Sequence, residues 1–246
     1  MTTPAPLSGK LAIVTGGGRG IGRAVSMALA ARGADIVLLG RTERTLKATA
    51  VDIRLQSDVA IHARTLDVTD GDAVDLAFAG LITELGPPDI LINNAGGTES
   101  APFTGLDRDN WDATLALNLT SVYACTHAVL PAMLEAGYGR IVNVASTAGL
   151  AGFPYVAAYC AAKHGVVGLT RALALEVADK GINVNAVCPG HTETPLTAYM
   201  RDPAVKQARA DVTPLGRVGQ PEDIAEGILY LLSDAASYVT GQVIGV

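Results

Sequence analysis

Leu11-Ala12-Ile13-Val14-Thr15-Gly16-Gly17-Gly18-Arg19-Gly20-Ile21-Gly22 is the stretch on which the reading of this chain turns. A short apolar run passes directly into a glycine-rich turn, and the turn opens a segment of helical length. Gly16, Gly20 and Gly22 follow the spacing GxxxGxG, whereas GxGxxG fits in no register. The physics behind the two spacings is shared. Bare backbone permits a tight turn, lets main-chain atoms approach a pyrophosphate, and sets that anion at a helix N-terminus. Gly16, Arg19, Gly20, Ile21 and Gly22 are therefore candidate cofactor-binding residues. An ordinary Gly-rich loop has a similar composition, so the turn needs support from the rest of the chain.

Working outward, the same alternation recurs. Apolar runs at 11–15, 35–39, 61–66, 90–92, 141–144, 182–187 and 243–244 read as strands. Between them, helices are expected at about 20–32, 43–57, 71–85, 111–135, 155–178 and 221–232. Short, continuously apolar strands separated by crossover helices predict an α/β fold: one doubly wound, Rossmann-type parallel sheet with helices on both faces. No repeat, low-complexity tract or linker divides the chain, so residues 1–246 read as a single dinucleotide-binding and catalytic domain. One segment breaks the rhythm. Residues 191–218 follow a strand, hold Pro195, Pro203 and Pro214, and are long for a βα connection. An insertion at the carboxyl end of a sheet is expected to be a substrate lid, with an idle surface excursion as the alternative.

The second strand ends at Leu39-Gly40-Arg41. Sites that select NAD place a carboxylate near this point to bind the ribose hydroxyls. Here Gly40 stands in that place, and the guanidinium of Arg41 can grip a 2′-phosphate, with Arg19 able to reach the same group. NADP(H) is favoured, and NAD(H) stays open.

Composition sets outer bounds. The 246 residues are 49% hydrophobic and 17% charged, too apolar for disorder and long enough for a large core. A net charge of −6 argues against nucleic acid as the main partner. No stretch of eighteen apolar residues suggests a membrane span, and Met1 to Lys10 lack the pattern of a signal peptide, so a cytoplasmic protein is expected. Cys125, Cys160 and Cys188 are widely separated and form no metal-ligand cluster; they read as small buried hydrophobes in a reducing compartment.

Tyr159-Cys160-Ala161-Ala162-Lys163 lies within an expected helix, and the i,i+4 spacing stacks phenol and ammonium on one face. A free tyrosine titrates near pH 10, too high for ready proton exchange at neutral pH, and a neighbouring ammonium lowers that value. Ser146 lies just past the strand at 141–144, where a parallel sheet presents side chains to a ligand. Asn93-Asn94-Ala95-Gly96 follows the strand at 90–92 in the same way. Asn118 sits midway along an apolar helix, an expensive place for an amide without a partner. Each has a bland alternative: a helix cap, a turn, a buried hydrogen bond. Together, along one sheet edge, they form a candidate catalytic set.

With these residues in view, the chain resembles the short-chain dehydrogenase/reductase family in its one-domain form. The resemblance covers nearly the whole length. It runs through Thr15–Gly22, Asp67-Val68, Asn93 to Gly96, Asn118, Ser146, Tyr159, Lys163, and Pro189-Gly190 leading to Thr194, with an interval of thirteen between Ser146 and Tyr159. The resemblance implies that Tyr159 donates a proton to a carbonyl oxygen on reduction and removes it on oxidation. It further implies that Ser146 polarises that oxygen, that Lys163 binds the nicotinamide ribose and lowers the tyrosine pKa, and that Asn118 holds a water in a proton relay. Asp67 and Val68 would flank the adenine, Asn94 with Ala95 and Gly96 would support the nicotinamide side, and Thr194, after Pro189 and Gly190, would bind its carboxamide. The hydride chemistry belongs to the cofactor, and the protein supplies positioning and electrostatics. No metal is implied.

The chain looks closest to 3-oxoacyl-thioester reductases, with two departures. It stops at Gly245-Val246, where members usually continue with Asp-Gly-Gly and a short tail. Pro131 and Leu175 stand where carrier-protein reductases often carry arginines, which speaks against docking of an acidic carrier. The leading expectation is a reductase of a 3-oxoacyl thioester or small ketone. The alternatives are a secondary-alcohol or hydroxysteroid dehydrogenase working oxidatively with NAD, and a nucleotide-sensing protein without catalysis. The last typically lacks the Tyr or the Lys, and both are present. Helices 111–135 and 155–178, apolar on most sides, imply burial against a symmetry mate in a homotetramer or homodimer. Phe153, Tyr155, Leu196, Tyr199 and Met200 are candidates for an apolar substrate pocket, and His191 is expected to be a solvated loop residue.

Overall fold

The computed structural model describes residues 6–246. Seven strands form one sheet: β1 (Leu11–Thr15), β2 (Asp35–Gly40), β3 (Ile61–Thr65), β4 (Ile90–Asn93), β5 (Gly139–Val144), β6 (Ile182–Cys188) and β7 (Val243–Gly245). Their order is β3-β2-β1-β4-β5-β6-β7, and every pair is parallel. The doubly wound parallel sheet read from the sequence is the observed fold. Strand order reverses between β1 and β4, the place beyond the carboxyl ends of the strands where open α/β sheets bind ligands.

Alternation along each strand sorts the core into two layers. Ala12, Val14, Ile36, Leu38, Ile90, Ile92, Val142 and Val144 face helices α1 (Gly20–Ala30), α2 (Glu43–Arg54) and the C-terminal helix Pro221–Leu232. Ile13, Val37, Leu39, Leu91, Ile141, Ile182 and Val184 face α3 (Gly71–Leu85) and the helices of the opposite layer. Strands buried on both faces explain why they read as unbroken apolar runs.

The helix expected at 111–135 is in fact three pieces. It consists of α4 (Arg108–Leu115), a π-turn at Ala116–Thr120, and α5 (Ser121–Ala136). The stretch Arg108–Ala136 is also long and apolar enough to cross a membrane. Its Val122, Cys125, Val129 and Met133 are buried within the fold, which is the pattern of a core helix. The helix expected at 155–178 is α6 (Ala157–Val177). The sequence reading places no helix within 191–218. There the structure has a 3₁₀ stretch at Pro195–Arg201 and helix α7 (Pro203–Asp211), followed by α8, the C-terminal helix already given. Asp202 caps α7 by accepting from Ala204 N at 2.8 Å, and Pro203 fills its first position. That Asp-Pro pair is the signal available in the sequence.

Candidate active site

The glycine turn is built from backbone strain and close approach. Gly16 adopts φ +66°, and a Cβ there would lie 2.8 Å from Asn94 Nδ2. A Cβ on Gly22 would collide with Gly16 O. Only glycine satisfies both positions. Asn94 Nδ2 donates to Thr15 O at 2.9 Å and to Gly16 O at 3.3 Å. Thr15 Oγ1 in turn accepts from the backbone N–H of Asn94 at 2.9 Å and of Ala95 at 3.0 Å. Asn94, expected to support the nicotinamide side, thus spends its amide on bracing the turn against β4. Thr15 is not among the expected site residues, yet its hydroxyl joins the two loops. Only its place at the head of Thr15–Gly22 marks it in the sequence, because its partners lie about eighty positions away.

At the next strand ends, Arg19 and Arg41 are exposed. Arg41 Nη1 lies 3.9 Å from Asp67 Oδ2, with both side chains largely in solvent. Burial tends to raise the Asp67 carboxyl, but hydrogen bonds from Thr69 N and Oγ1 and the charge of Arg41 bring it below the usual value. Val68, expected to flank the adenine, commits its side chain to the core beside Leu66 and Val74.

The chemical centre forms where β4, β5 and α6 converge. Ser146, two residues past β5, has an Oγ that accepts from Ala148 N at 3.1 Å, capping the short turn Thr147–Gly149. Tyr159 and Lys163 stand one turn apart on α6, and Lys163 Nζ lies 5.6 Å from the Tyr159 ring centre. Lys163 is buried, and its ammonium donates to Val144 O at 2.8 Å. Gly96 closes the group: a Cβ there would lie 2.9 Å from Asn118 Oδ1 and 3.5 Å from Lys163 Nζ. Bare backbone at Gly96 thus lets the loop after β4 pack directly against Asn118 and Lys163.

Asn118 explains the π-turn. Its Nδ2 donates to Gly97 O at 2.8 Å and Thr114 O at 2.9 Å, and its Oδ1 accepts from Gly97 N at 3.1 Å. The widened turn carries this fully buried amide to the loop after β4 and supplies the partners its burial demands. On the far side, Thr194 Cβ lies 3.5 Å from where a Gly20 Cβ would be, so 191–218 begins directly over the glycine turn. Thr147 N donates to Pro189 O at 3.0 Å, linking the Ser146 loop to the Pro189-Gly190 corner.

The expected lowering of the tyrosine pKa by Lys163 is corrected by this geometry. Burial pushes the Tyr159 phenol up, the Ser146 hydroxyl pulls it partly back, and Cys160 and Cys188 add to the rise. Burial also brings Lys163 down to about 8. In both groups desolvation is the largest cause of the shift. His191 falls below its usual value through burial and the nearby Arg209 charge. All three cysteines are free; Cys125 and Cys188 are buried, and Cys160 is half-buried.

Met200 does not face the cleft. It is buried with Ala210 and Val218 as a small core of the 191–218 segment, whereas Phe153, Tyr155, Leu196 and Tyr199 remain exposed.

Comparison with known proteins agrees with this arrangement. Residues 16–246 match a family model described as "Enoyl-(Acyl carrier protein) reductase". The 3-oxoacyl-[acyl-carrier-protein] reductase FabG of Thermotoga maritima is 39% identical over 98% of this chain and 97% of its own. A crystal structure of levodione reductase superposes with TM-score 0.93 at 32% identity, covering 98% of this chain and 96% of that one. A single-residue variant of actinorhodin polyketide ketoreductase, crystallised with NADPH, gives 0.92 at 38% identity, covering 100% and 97%. Taken with the glycine turn and the Ser146, Tyr159 and Lys163 cluster, these likenesses show that the chain belongs to the short-chain dehydrogenase/reductase family, oxidoreductases that pass a hydride between NAD(P) and a carbonyl or alcohol carbon.

Proposed function

We propose that the protein is an NADP(H)-dependent reductase of a 3-oxoacyl thioester or a small ketone. One observation carries the reading: the buried Lys163 ammonium, held by Val144 O beneath Tyr159, borders the bare Gly96 backbone at the sheet edge. When bound, NADP(H) supplies the hydride. The turn at Gly16, Gly20 and Gly22 would hold its pyrophosphate at the N-terminus of α1. Arg19 and Arg41 would take the 2′-phosphate, Asp67 would flank the adenine, Lys163 would bind the nicotinamide ribose, and Thr194 the carboxamide. Tyr159 gives its proton to the substrate's carbonyl oxygen while the Ser146 hydroxyl hydrogen-bonds to that oxygen. A phenol raised by burial is fully protonated at neutral pH, the form that reduction needs. Lys163 and Asn118 flank Tyr159 for its reprotonation.

Residues 1–246 act as one catalytic domain, with 191–218 as the substrate lid over the cleft. The protein is cytoplasmic and assembles as a homotetramer or homodimer through the outer faces of α5 and α6. Tyr123, Leu134 and Leu175 are exposed there, while Ala158, Ala162, Val166 and Val167 are buried within their own chain. Sedimentation giving only a 25.2 kDa species at micromolar concentration would contradict the assembly. The function itself is tested by turnover of a panel of ketones and 3-oxoacyl thioesters, each with NADPH and NADH. Reduction of at least one class with NADPH is expected, and oxidation of alcohols alone, with NAD, overturns the reading.

A further inference from the structure

Tyr155 adopts φ +68° and is the only non-glycine residue in the left-handed region among the described residues. That conformation is costly for a bulky L-residue and nearly free for glycine. The backbone has a use for it. Tyr155 O accepts from Ala101 N at 2.8 Å, tying the segment after β4 to the one entering α6. Nothing in that turn needs the ring. The Tyr155 side chain is 62% exposed, with no hydrogen bond or aromatic neighbour among the described residues, so the fold gains nothing visible from it. A strained residue at a site is a reason to look for function in its side chain.

Its surroundings point the same way. The chain is only 4% aromatic and has three phenylalanines. Phe78 is buried in the core, whereas Phe103 and Phe153 are exposed. Each lies two positions from one end of the Ala101–Tyr155 hydrogen bond, which ties the two segments that carry them together. Tyr155 itself is four positions from Tyr159, just ahead of α6. Open aromatic surface beside a reaction centre is a binding surface for something flat and apolar.

We propose that Tyr155 determines specificity: its exposed ring is the wall on which a planar aryl or conjugated group attached to the substrate carbonyl stacks. The enzyme then prefers aryl over alkyl 3-oxo compounds. This rests on the ketone-reductase reading above.

The test measures kcat/KM with NADPH for three coenzyme A thioesters: 3-oxo-3-phenylpropanoyl, 3-oxobutanoyl and 3-oxooctanoyl. The proteins are wild type, Tyr155→Phe, Tyr155→Asn and Tyr155→Gly. Stacking of one aromatic pair corresponds to about tenfold. The phenyl-to-methyl ratio is therefore expected to fall about tenfold in the Asn and Gly variants and to hold in Phe. Tyr155→Gly is also expected to raise Tm by about 2 °C, because glycine takes the left-handed region without strain. Three results overturn the proposal. The ratio does not move; the 3-oxooctanoyl rate falls as far as the phenyl one, which makes the wall merely apolar; or Asn and Gly both lower Tm, which makes the ring a structural prop. Wild type inactive on all three thioesters and on free ketones removes the reductase reading itself.

Discussion

The two halves of the cleft are built on different principles. On the cofactor side, between β1 and β4, the side chains of Thr15, Asn94 and Asn118 are bonded within the protein. Thr15 with Asn94, and Asn118 with Gly97, form two hydrogen-bonded groups, and glycines let backbone segments pack where a side chain would clash. On the substrate side, the loop from β5 to α6 and the segment 191–218 present Leu150, Phe153, Tyr155, Leu196 and Tyr199 to solvent. The first half recognises its ligand with backbone and fixed dipoles, so its chemistry is general to a cofactor. The second recognises with exposed side chains and is therefore where specificity resides.

The sharpest attempt to break this division removes the one group that serves the chemistry itself. Tyr159→Phe keeps the ring and deletes the proton, and positioned acid–base catalysis is worth about 10²- to 10⁴-fold. Turnover is expected to fall at least that far while NADPH still binds by fluorescence titration. Near-normal turnover would remove Tyr159 from its assigned role.

Next in size is Arg41→Asp on the cofactor side. A charge-assisted contact to phosphate is worth about 1.5–3 kcal/mol, so the KM for NADPH should rise roughly ten- to hundredfold while use of NADH improves. Asp67 is already 3.9 Å from Arg41, so the new carboxylate adds a second anion at that corner. A wild type that strongly prefers NADH would show that the corner takes a ribose hydroxyl and not a phosphate.

A pH series gives a smaller and signed effect. Lys163 titrates at about 8, below the usual lysine value because it is buried. Its charged fraction falls about tenfold between pH 7 and 9. NADPH affinity is expected to weaken by about that factor as pH rises through this window, read as Kd by fluorescence. A raised Tyr159 keeps the reductive direction supplied with protons over the same range, while alcohol oxidation should improve as pH rises. A Kd independent of pH would detach Lys163 from the ribose.

The smallest effect is expected at the rim. Pro131 and Leu175 are both exposed, Leu175 to 85%, and neither carries a charge to steer an acidic carrier protein. One acyl group presented on coenzyme A and on carrier protein should be reduced comparably, with little response to ionic strength. A carrier preference that collapses with salt would place a docking rim elsewhere, with Arg201, Lys206 and Arg209 on the 191–218 segment as the first residues to replace.

By itself the sequence determined the sheet, its parallel sense, the glycine turn and the positions of Ser146, Tyr159 and Lys163. These depend on period, spacing and local backbone demands, all of which are written within a few residues of each other. Only the tertiary structure decided the rest. Thr15 matters through partners at Asn94 and Ala95, and the π-turn carries Asn118 to Gly97, on the loop after β4. Met200 leaves the expected pocket because Ala210 and Val218 enclose it, and Tyr155 gains its interest from a backbone angle that no residue type announces. The tyrosine pKa moves opposite to its expected direction for the same reason. The spacing to Lys163 announces a neighbouring charge, but the rise comes first from burial, which belongs to the folded surroundings and not to the motif.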